Sequence, residues 1–308
     1  MLRLTVHGVG RVWILAAGVR APEVLATSGA ARACLARSKC FAMLLAAAGC
    51  AGPASDGPAS RALAERLVRE AGPGDALAVL HHSDIWAEGP GADCPEFVLY
   101  ADGRVIFREA ALRDQDVNPE ATGFRTTRLS RDETVELLAT PPLAGFLASE
   151  ERVPGDDLPE GDLSFHRVSR VMLRDDGRWK EVTGYYQRGG EGPFDRVYAA
   201  LTDFTDERAT PWFPAVIEVE LREAEGRRTA IPWPEDWPAL GGPGTRAIGD
   251  SRYLVEFPGD RYRDVMDLWG YLDEHRYVLW ALGRKWEVSP RFPFPGEEQW
   301  AREGPPSD

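Results

Sequence analysis

Cysteine is scarce: four in 308 residues, at Cys34, Cys40, Cys50 and Cys94. That is too few to staple a chain of this length, so the fold needs its own apolar core. Lysine is scarcer still. Lys39, Lys180 and Lys285 stand against 33 arginines. With the many Ala, Gly and Pro, this reads as codon usage from a GC-rich genome. No apolar run approaches the ~20 residues of a membrane-spanning helix. Net positive charge is also missing. A formal charge of -13 argues against nucleic acid as a partner, because that footprint is basic. There is no P-loop, no GxGxxG after a strand, no HExxH, no paired CxxC and no GxSxG elbow. No cofactor is therefore predicted. Disorder is excluded by 44% hydrophobic residues.

The charge is unevenly placed. Residues 1–49 hold Arg3, Arg11, Arg20, Arg32, Arg37 and Lys39 against Glu23, a balance of +5. The remaining residues therefore carry -18 of the total -13. A basic leader precedes an acidic domain.

Within the leader, Arg37 and Lys39 precede a short apolar run, Cys40 to Ala46, and then Ala47-Ala48-Gly49-Cys50. This order resembles the signal peptide and lipobox of bacterial lipoproteins. The resemblance covers about 14 residues and leaves the domain behind it unassigned. It implies that Cys50 receives a diacylglycerol on its thiol and becomes the first residue after cleavage. The partner would then be a membrane, and the location the cell envelope, facing the periplasm or the outside. Residues 51–60, AGPASDGPAS, are small and polar, as a flexible tether should be. Met1 lies farther upstream than a signal peptide of 15–30 residues requires. A start at Leu35, Leu25 or Val19 would give an ordinary leader. The expected organisation is a leader over 1–49, a tether over 50–60 and one globular domain over 61–308, with a weak boundary near 205–214. The competing interpretation of 37–50 is an Ala-rich helix that happens to end in Gly-Cys.

The domain reads as α+β, with antiparallel hairpins forming a sheet and helices packed on one side. Helix spacing marks 62–71. Phe97-Val-Leu-Tyr and Arg104-Val-Ile-Phe flank Asp102-Gly103, a hairpin signal. Ser130 and Glu133 form a capping box for a helix over 131–139, which Pro141-Pro142 should end. A second hairpin turns at Asp175-Asp176-Gly177 and a third at Glu225-Gly226, returning through 227–233. The pattern closes with a helix over 262–273 and a strand over 277–282. The aromatic tail, Trp286 to Trp300, is expected to wrap the domain. The repeated Asp-Gly-Arg at 102–104 and 176–178 fits either an internal duplication or shared turn chemistry.

Candidate chemistry is sparse. His81, His82 and Asp84, with Asp93 and Cys94 downstream, form the densest set of metal-ligand types. Adjacent residues on a strand face opposite ways, so His81 and His82 cannot both meet one ion without a bend there; His81 and Asp84 are kept as a speculative metal pair. The bland alternative is strand-end histidines. The acidic run 150–162 lacks the spacing of an EF-hand. Trp233 and Trp237, on the Pro-stiffened Ile231-Pro-Trp-Pro-Glu-Asp-Trp-Pro, could offer a ring platform to a sugar or a protein partner. They could equally cap the core. Two functional classes follow. One is a lipid-anchored binding or interaction domain. The other is an envelope hydrolase, metal-assisted around His81, His82 and Asp84.

Overall fold

A computed structural model describes residues 57–83, 94–109, 122–149, 168–185, 190–249 and 251–300. Contacts divide the chain into two units, Met1–Ala51 and Gly52–Asp308, and the second contains all the described residues. Its fold is α+β, with five α-helices and two mostly antiparallel sheets among the described residues.

Helix α1, Pro58–Glu70, buries Ala64, Leu67 and Val68 along one stripe. It begins inside the segment expected to be tether. Gly57 is the N-cap, and Pro58 costs nothing at the first turn because its missing N–H would have no helical partner there. The first sheet follows. Strands β1 (Ala76–Ser83), β2 (Pro95–Tyr100), β3 (Arg104–Arg108) and β4 (Phe124–Arg128) run antiparallel in sequence. β5 (Val168–Asp175) and β6 (Arg178–Tyr185) form a hairpin on the other side of β1. A two-residue strand β7, Thr210–Pro211, closes the far edge.

Every residue of β2 is buried. Both faces of this sheet are covered, which explains why Phe97-Val98-Leu99-Tyr100 is continuously apolar. Phe97 and Leu99 face α1, α2 (Arg131–Leu138), α3 (Pro141–Ala148) and α4 (Pro193–Thr202). Val98 and Tyr100 face the chain's C-terminal residues Phe292, Phe294 and Trp300. The capping box of α2 is formed as expected, with Ser130 Oγ accepting from the Glu133 amide and the Glu133 carboxylate accepting from the Ser130 amide.

Pro141-Pro142 was expected only to stop a helix. It also starts one: the pair occupies the first turn of α3, behind Thr140 as N-cap. Proline is excluded from helix interiors and accepted at their starts.

The chain crosses to the second sheet between Thr210 and Val216. That sheet has the order β10 (Thr245–Gly249), β11 (Arg252–Pro258), β8 (Val216–Glu223), β13 (Arg284–Arg291), β12 (Val278–Ala281) and β9 (Ala230–Pro232). The antiparallel α+β architecture expected from the sequence is thus built on two sheets. Ile217, Val219 and Leu221 of β8 alternate with exposed or half-buried charges, so one face is apolar. Helix α5, Tyr262–His275, adds Tyr262, Val265, Met266 and Leu272 to the same core.

The third expected hairpin does not form. β13 pairs with β8 instead, with Val288 opposite Leu221, and β9 pairs parallel with β12. Residues 225–229 are all exposed and polar, so nothing apolar anchors a return strand there. Pro232 and Pro234 also lack the amide donors that a strand between two neighbours needs, and β9 accordingly lies at the edge.

Candidate functional site

His81 sits near the end of β1, half-buried, opposite Pro95 on β2 and Arg170 on β5. Asp84 and Asp93 lie outside the described residues, as do Cys50 and the acidic run 150–162. Among the described residues, no three His, Cys, Asp or Glu side chains are gathered as a metal would require. Cys94 is buried, and its thiol donates to the Phe292 carbonyl at 3.2 Å. It behaves as a small apolar residue at a strand entrance.

Trp233 and Trp237 meet edge to face, with ring centroids 5.4 Å apart. Trp237 is 6% exposed and also packs on Phe257 at 4.7 Å. Trp233 is half-buried, and its indole N–H donates to the Pro238 carbonyl. Stiff prolines thus hold both rings against the core beside Phe257 of β11, which is the capping arrangement. Trp237 has little ring face left for a ligand.

Charged side chains are largely consumed by ion pairs that join elements. Asp206 is the clearest case. It accepts from Thr127 Oγ1 of β4 at 2.9 Å and pairs with Arg208 at 2.8 Å, while Arg208 reaches Glu133 of α2 at 3.1 Å. The Arg208 hydrogen bonds hold Asp206 below its ordinary pKa. The Ser130 amide does the same for Glu133. Both folded values are depressed, so the stability they contribute is complete above the ordinary carboxylate range. It is lost as pH falls through the lowered folded values. Wild-type protein and Arg208→Ala should therefore melt at different temperatures at pH 7 and converge once the pH has fallen through the lowered folded values of Asp206 and Glu133. A gap that stays constant across that range would show that Arg208 acts by packing alone.

A different arrangement occurs at the β12–β13 turn. Leu282 and Gly283 have φ of 51° and 75°, the two positive values of a type I′ hairpin. Leu282 is 60% exposed, and Trp280 two residues earlier is 47% exposed. Trp280 lies directly opposite Lys285. The Lys285 ammonium donates to the carbonyls of Arg228 at 2.7 Å and Gly226 at 3.4 Å. Residues 224–229 thus cross β13 and β12 beside Trp280, bringing Arg227 and Arg228 to the same end of the sheet. Arg284 and Arg228 pair with Glu223 and Glu287. Arg227 holds no carboxylate among the described residues.

Neither Trp280 nor Leu282 was singled out from the sequence. A signal was present: Arg276-Tyr-Val-Leu-Trp-Ala-Leu-Gly-Arg-Lys-Trp286 contains no acidic residue, in a chain with 49 of them. Comparison with protein-family models, curated proteins and solved structures returns no match.

Proposed function

We propose that this chain is a bacterial envelope lipoprotein: a binding or interaction domain held to a membrane by acyl chains on Cys50. The observation that carries the reading is the order Arg37, Lys39, apolar 40–46, Ala47-Ala48-Gly49-Cys50 and small polar 51–57, immediately ahead of a helix that starts at Pro58. Residues 51–57, at ~3.3–3.6 Å each, let the domain stand at most ~25 Å from the anchor. One acyl chain gives only marginal membrane binding, whereas two or more hold firmly, at about 0.8 kcal/mol per buried methylene. The partner recognised by the domain would be a sugar or another protein of the envelope.

The test is fractionation in a bacterial host. Wild type should sediment with membranes, and its intact mass should correspond to a chain beginning at Cys50 plus diacylglycerol. Cys50→Ala should move the protein to the soluble fraction or leave the leader uncleaved. A mature chain that retains residues 1–49 in the wild type, with no added lipid, would overturn the proposal.

A further inference from the structure

We draw no further inference here: the strongest candidate, the exposed Trp280 and Leu282 at the tip of the β12–β13 hairpin, carries nothing, because Glu223 and Glu287 already offset Arg284 and Arg228 beside it and nothing in the structure shows what covers it.

Discussion

Gly103→Val should destabilise the domain by about 4 kcal/mol, whereas Gly177→Val should cost about 1–2 kcal/mol, although both glycines follow an aspartate in a hairpin turn. Gly103 has φ of 81° and Gly177 has φ of 72°, so both carry the backbone strain of a β-branched residue in the left-handed region. Their surroundings differ. A Cβ on Gly103 would lie 2.1 Å from the Leu129 carbonyl oxygen and 3.4 Å from Thr134 Oγ1. The Leu129 amide also donates to the Gly103 carbonyl at 2.8 Å, so β4 and the start of α2 are fastened to this turn. A Cβ on Gly177 meets nothing within 4 Å. Denaturant unfolding of the two variants should show well-separated midpoints at similar slopes. Equal losses would mean that the Gly103 turn moves freely away from Leu129.

That contrast also shows how far local sequence could carry the fold. Asp-Gly placed both hairpins correctly, because each turn needs positive φ at its glycine and is decided by four or five residues. The α2 cap was legible for the same reason: Ser130 and Glu133 lie within one turn of each other. Strand β13 was not legible. Arg284–Arg291 contains Pro290, which argues against a strand between two neighbours. Its ladder with β12 spans only 284–286, so Pro290 lies where β8 is its sole partner. The parallel pairing of β9 with β12 joins residues nearly fifty positions apart, and nothing in either segment names the other.

The same limit applies to function. Lipidation is read by enzymes from a linear motif, so Cys50 and its neighbours are visible in sequence alone. Trp280 stood in the sequence as one of ten tryptophans, and whether a ring is buried depends on which strand lies beside it. Trp233 and Trp237 drew attention through their prolines, yet those prolines hold the two rings against each other and Trp237 onto Phe257. Trp280 lies between Lys285 of β13 and Pro232 of β9 and is 47% exposed, while its neighbour Leu279 is in the core. Strain at Leu282 is visible only once the hairpin register, Ala281 opposite Arg284, is known.

Ending the chain after Arg291 should abolish cooperative unfolding altogether. Phe292, Phe294 and Trp300 are 2–4% exposed and form much of the layer on the face of the first sheet opposite its helices. Phe294 packs on Trp212 at 4.7 Å and Phe124 at 5.3 Å. Polar contacts fix the same segment at several points. The Tyr100 hydroxyl donates to the Pro295 carbonyl at 2.9 Å, and the Trp179 indole donates to the Gln299 carbonyl at 2.8 Å. The Gln299 side chain accepts from the Ala76 amide and donates to the Gly74 carbonyl, tying the tail to the start of β1. Arg291 joins Glu218 of β8 to Glu297, so the tail is bonded to both sheets. Three buried aromatics at about 3 kcal/mol each approach the whole 5–15 kcal/mol of a typical domain. Phe294→Ala alone should cost about 3–5 kcal/mol and retain a sharp transition. Gln299→Ala, which removes two hydrogen bonds and little apolar area, should cost about 1–2 kcal/mol. Calorimetry of the three variants reads this directly. If the truncated chain keeps a single sharp transition within a few degrees of the parent, the tail lies on a sheet that is stable without it, and Val98 and Tyr100 must tolerate water.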